Sequence, residues 1–111
     1  MTIPDGVTSI GESAFYKCTS LASVTFGDNS QLTSIGFAAF YECTSLASVT
    51  FGDNSQLTRI GEYAFRECTG LTSITIPDSV TSIGDSAFEN CNKQLIKNVA
   101  QIRPLTSKPD G

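Results

Sequence analysis

Apolar residues return along this chain at a long, fixed interval rather than at the short period of one helix or one strand. Ile10, Ile35, Ile60 and Ile83 form one column; Phe15, Phe40, Phe65 and Phe88 a second; Cys18, Cys43, Cys68 and Cys91 a third. Successive cysteines stand 25, 25 and 23 residues apart. Self-similarity at such a period is the mark of a solenoid in which each copy is one coil. The length difference sits in a turn. From Phe26 to Leu32, and from Phe51 to Leu57, the chain runs through Gly-Asp-Asn-Ser-Gln, whereas Pro-Asp-Ser suffices from Ile76 to Val80 and Pro-Asp-Gly from Ile3 to Val7. Turn-forming residues absorb an insertion at little cost in backbone hydrogen bonds, and the apolar frame is kept on both sides.

Within a coil, Leu21 to Phe26 alternates at Val24 and Phe26 with β-branched Thr25 facing the other way, which predicts a short strand; Leu46 to Phe51 and Leu71 to Ile76 repeat it. Gly11 to Cys18 is richer in Ala, Glu, Tyr and Lys and predicts a short helical or 3₁₀ turn on the opposite side, with a small β-bridge around Val7 to Ile10. The fold class expected is therefore an α/β solenoid. It is a right-handed coil of about four repeats of 23–25 residues, with a short parallel sheet on one side and helical turns on the other, its strands stacked at ~4.8 Å. One coil turns Leu32, Ile35, Ala39, Phe40, Cys43, Leu46, Val49 and Phe51 inward. So small a set does not offset the ordering entropy of its own coil, so stacking on neighbours must supply the rest.

The array covers residues 1–91 and begins in mid-coil, since Ile3 to Ile10 matches Ile76 to Ile83; most of a first strand is missing. After Cys91 the motif dissolves. Leu95, Ile96, Val99 and Ile102 share one helical face and Pro104 would stop a helix, which predicts a cap helix over 92–103 and a flexible tail over 104–111. A degraded strand around Leu95 to Val99 is the alternative.

The motif Ile-Gly-x-x-Ala-Phe-x-x-Cys-x-x-Leu-x-x-Val-x-Phe, carried in four copies over residues 3 to 91, resembles the BspA-like leucine-rich repeats of bacterial and protist surface proteins. The resemblance implies a curved parallel sheet backed by helical or irregular turns. It also implies extracellular adhesion to protein partners, either host matrix or cell-surface proteins, and a cell-surface or secreted location. The Gly-Asp-Asn-Ser-Gln turns, the half coil at the start and the non-repeat tail depart from the family pattern. Met1-Thr2-Ile3-Pro4 offers no basic or apolar leader, which fits a fragment excised from a longer surface protein.

Chemistry narrows the function further. There is no His, which removes the commonest general base and neutral metal ligand. A net charge of -4 argues against nucleic acid, and no apolar run approaches membrane-spanning length. No catalytic residue, cofactor site or metal site is predicted. The cysteines, more than twenty residues apart, read as a ladder of buried free thiols, with disulfides between adjacent coils or a metal as alternatives. Asp5, Asp28, Asp53 and Asp78 read as turn residues that bond local backbone, with weak cation binding as the alternative.

The outward strand positions Ser23, Ser48, Ser73, Thr25, Thr50 and Thr75 are uniform and lack an anchor residue; they suit hydroxyl ladders. Variation sits on the turn side, where Tyr16, Phe37, Tyr41, Tyr63 and Arg66 form a candidate partner-binding patch. The expected function is a non-catalytic protein-binding or adhesion module, the alternative a structural spacer without a ligand of its own. The open N-terminal sheet edge predicts self-association.

Overall fold

The computed structural model describes residues 1–91 and 96–97. Nine short strands run through them: β1 (Thr2–Ile3), β2 (Ser9–Ile10), β3 (Ser23–Phe26), β4 (Ser34–Ile35), β5 (Ser48–Thr50), β6 (Arg59–Ile60), β7 (Ser73–Thr75), β8 (Ser82–Ile83) and β9 (Ile96–Lys97). They sort by parity into two parallel sheets, β1-β3-β5-β7-β9 and β2-β4-β6-β8. The chain is thus a β-solenoid, and the register is the sequence repeat itself. Val24 pairs with Val49 and Val49 with Ile74 in the first sheet; Ile10, Ile35, Ile60 and Ile83 pair in turn in the second. The small bridge expected near Ile10 is a complete second sheet. Even the shortened first strand is held, with the Met1 ammonium donating to the Ser23 carbonyl at 2.8 Å and Thr25 N–H donating to the Met1 carbonyl at 2.8 Å.

The turn side corrects the expected fold class. No helix occurs among the described residues; in place of the helical or 3₁₀ turns, each coil has a ribbon of consecutive β-turns. Ala14, Tyr16 and Cys18 N–H groups donate three residues back, to Gly11, Ser13 and Phe15 carbonyls. The amides between them go elsewhere: Ser13, Phe15 and Lys17 donate to Phe37, Ala39 and Tyr41 of the next coil at 2.9, 2.7 and 2.8 Å. A helix needs every amide to point back along its own axis. Here every second one is spent on the neighbouring rung.

Two residues per coil take left-handed backbone to permit this, Ser13 (φ 57°) and Lys17 (φ 58°) in the first and Ala38 (56°) and Glu42 (62°) in the next. Each costs roughly 1–2 kcal/mol for an L-residue, which the cross-rung bonds offset.

The core lies between the two sheets and the ribbon. All eight side chains expected inward in one coil are buried, except Phe51, which is half-buried and packs on the core's edge. Phe15, Phe40, Phe65 and Phe88 stack face to face, centroids 5.1, 5.1 and 5.3 Å apart and planes within 6°. Phe26 and Phe51 stack in the same way at 5.3 Å. Ala38, beside the exposed Phe37, is buried.

Ile96–Lys97 are extended and pair with β7, at two positions where the helical spacing predicted a cap. The rest of the predicted cap over 92–103 and the tail over 104–111 lie outside the described residues.

Candidate interaction surface

The turn ribbon sets successive side chains at fixed rung spacing, so residues one repeat apart in sequence become neighbours in space. Tyr16 and Tyr41 lie 5.4 Å apart by ring centroids, Tyr41 and Tyr63 6.1 Å, and Tyr63 and Phe37 5.5 Å, all tilted. The Arg66 guanidinium lies 5.5 Å from the Tyr41 ring centre and 5.2 Å from that of Tyr63. All five residues proposed from their variability are therefore brought into one strip crossing the coils. Tyr16 and Phe37 are its open ends, 45% and 42% exposed.

Arg66 is its tie. Its Nη1 donates to the Tyr41 hydroxyl at 2.9 Å. Its Nε lies 2.8 Å from Glu89 Oε1, an ion contact rather than a directed hydrogen bond, because the N–H is not aimed at that oxygen. Desolvation works against the guanidinium charge, but Glu89, Tyr41 and Glu67 outweigh it and its pKa is raised.

The ribbon's last left-handed column, Lys17, Glu42, Glu67 and Asn90, was missed as part of this surface. Lys17 Nζ lies 3.7 Å from Glu42 Oε1, and Asn90 Nδ2 donates to Glu67 Oε2 at 3.4 Å. Complementary residues 25 and 23 positions apart were the available signal.

The other sequence candidates are architectural. The four cysteines are free; Cys43, Cys68 and Cys91 thiols donate to the Phe15, Phe40 and Phe65 carbonyls of the preceding coil at 2.9, 3.0 and 2.9 Å. A small, mostly apolar side chain with one weak donor suits that position. Burial pushes the Cys43 thiol up to about 11 from an ordinary 9.0; contact with the Cys91 thiol and burial push Cys68 the same way.

The sign of the pH dependence follows. Below pH 9 folded and unfolded chains both carry the neutral thiol and the stabilisation is whole; between pH 9 and about 11 only the unfolded chain ionises, so stability falls. The melting temperature under reducing conditions is expected to drop across that window. Cys43→Ala should flatten its share of the slope, worth about 3 kcal/mol for two pH units. A slope unchanged by the substitution would refute the assignment.

Asp28 Oδ1 accepts the Asp53 N–H at 3.0 Å, so this turn aspartate ties its rung to the next, and no group of three or more His, Cys, Asp or Glu that could hold a metal ion occurs among the described residues. Thr25, Thr50 and Thr75 are exposed on the first sheet. The hydroxyl ladder instead precedes the second sheet, where Thr33, Thr58 and Thr81 donate to the Thr8, Thr33 and Thr58 carbonyls. No helix among the described residues is long and apolar enough to cross a membrane.

The profile of the BspA type leucine rich repeat region matches residues 1–107 in 6 copies. The chain belongs to this family. Among solved structures, the BspA-type array is similar to a leucine-rich repeat protein from Bacteroides capillosus ATCC 29799, at 34% identity and a TM-score of 0.73 over 89% of this chain and 75% of that one. It is similar to a leucine rich cell surface protein from Faecalibacterium prausnitzii A2-165, at 29% identity and a TM-score of 0.61 over 88% of this chain and 35% of that one. The leucine-rich repeat protein of T. pallidum matches at 26% identity and a TM-score of 0.56, over 80% of this chain and 53% of that one. None of the curated proteins matches. The array therefore spans three-quarters of the Bacteroides protein and 53% and 35% of the other two.

Proposed function

We propose that this BspA-type array is a non-catalytic protein-binding module, used in adhesion as a stretch of a longer surface protein, and that its contact surface is the strip Tyr16, Phe37, Tyr41, Tyr63 and Arg66. One observation carries the reading: the side chains that differ from coil to coil form a continuous aromatic and Arg-bearing strip, while the first sheet repeats Ser and Thr. Aromatics and Arg dominate the energetics of protein interfaces. The Faecalibacterium relative is named as a cell surface protein, which supports a surface or secreted location here.

The test is binding of the immobilised array to a panel of matrix and cell-surface proteins. Tyr16→Ala and Phe37→Ala, at the exposed ends of the strip, are expected to weaken binding about tenfold or more, with Thr25→Ala and Thr50→Ala close to wild type. Sensitivity confined to the threonines, or no binding at all, defeats the reading.

Arg66 favours a second reading, a structural spacer. Its guanidinium is engaged inside the molecule by two rings, a hydroxyl and two carboxylates. In a spacer, Arg66→Ala lowers the melting temperature and changes no affinity.

A further inference from the structure

A second feature lies beside the strip. Between the four-stranded sheet and the turn ribbon runs an open groove of about 530 Å³, lined by Ser34, Arg59 and Ser82 on the strand side and by Phe37 and Glu62 on the ribbon side. Between the walls it is also lined by Gly36, Gly61 and Gly84.

The two walls differ in charge. Within the groove the ribbon wall carries Phe37 and Glu62; the same column continues past it to Glu12 on one side and Asp85 on the other, and all four side chains are exposed. Lys17 and Arg66, the basic residues of the ribbon, face Glu42, Glu67 and Glu89 instead. Among the described residues, Glu12, Glu62 and Asp85 form no ion pair, and neither does Arg59 across the groove. The groove thus sets Phe37 and Glu62 opposite a single guanidinium, with Glu12 and Asp85 beyond its two ends.

We propose that this groove receives an extended segment of a partner protein bearing Lys or Arg, an apolar residue, and Lys or Arg at alternate positions, with an acidic residue between them facing Arg59. The inference rests on the protein-binding reading above and names the chemistry of the partner. Geometry sets the spacing. The three rung spacings from Glu12 to Asp85 span about 14 Å, and so do four residue steps of extended chain at ~3.4 Å each. Alternate side chains of such a segment point to opposite walls. The first and fifth residues reach Glu12 and Asp85, the third lies on Phe37, and the fourth meets Arg59. The ring of Phe37 also accepts a cation on its face.

The experiment uses the whole chain and a fluorescent peptide, Ser-Lys-Ser-Leu-Asp-Lys-Ser, followed by anisotropy. Saturable binding is expected, weakening as salt rises. A peptide with Glu in place of both lysines should not bind, and an isomer with adjacent lysines should bind at least about fivefold more weakly. Asp85→Asn and Phe37→Ala, both exposed and checked for unchanged circular dichroism, should each weaken binding by a similar factor, and Thr50→Ala should have no effect. Equal binding of the two isomers, or no saturable binding, overturns the inference. If neither peptide binds while a protein partner still depends on Tyr16, the groove inference falls and the protein-binding reading stands.

Discussion

Truncating Phe65 to alanine is expected to destabilise the solenoid by about 3–5 kcal/mol, and the same change at Phe15 by markedly less. The Phe65 ring is fully buried. It lies 5.1 Å from Phe40 and 5.3 Å from Phe88, with interplanar angles of 4° and 3°. Its removal leaves a gap between two rings whose separation is fixed elsewhere, by the rungs of both sheets and by the amides of the ribbon. Such a site cannot collapse, which places the cost at the upper end for a lost aromatic. The position in the array adds to it. Each coil contacts only its neighbours, so a weakened central interface uncouples the coils on either side. Phe15 has one stacking partner and is half-buried, so less is lost. Domains of ordinary stability hold 5–15 kcal/mol in all; urea unfolding of the two variants therefore separates them readily. A cost at Phe65 no larger than at Phe15 would mean that the rungs relax.

The columns of Ile, Phe and Cys were legible because a repeat of constant length forces equivalent residues into register, and pairings such as Ile35 with Ile60 follow from counting alone. Strand β3 was legible too, since Val24 and Phe26 alternate with Thr25. The ribbon was not. Ala39, Phe40 and Cys43 are spaced as on a helix, and that segment's composition favours one; what overrides it is that the Phe40 amide goes to Ala64 and the Glu42 amide to Arg66, both in the next coil. A hydrogen bond between rungs has no signature within a single copy. The candidate strip shows the same division. Tyr16, Tyr41 and Arg66 could be grouped because they occupy one column, whereas the clamp of Arg66 between two rings and Glu89 depends on side-chain directions that no spacing encodes. Nor did Phe37 and Glu62 announce that they wall a groove, for that depends on the second sheet being complete.

The glycines after each isoleucine separate two reasons for using that residue, and a pair of identical substitutions tells them apart. Gly61→Ala is expected to destabilise by about 3 kcal/mol, the upper end for overpacking, while Gly11→Ala is expected to be neutral or to stabilise by up to about 1 kcal/mol. No glycine among the described residues has positive φ, so alanine can adopt the backbone at either site. The left-handed positions are filled instead by residues such as Tyr63 and Glu67. What Gly61 supplies is proximity. A Cβ there would lie 2.8 Å from the Gly36 carbonyl carbon and 2.9 Å from the Phe37 nitrogen, both backbone atoms of the previous rung. Neither can retreat without opening the bond from Gly61 N–H to Ile35 at 2.8 Å. At Gly11 a Cβ meets nothing within 4 Å, and replacing glycine restricts the unfolded chain. The same methyl thus changes sign according to whether backbone of another rung lies against it. Thermal melts of the two variants measure the difference directly, and equal shifts would show that rung contact is not what holds glycine at these positions.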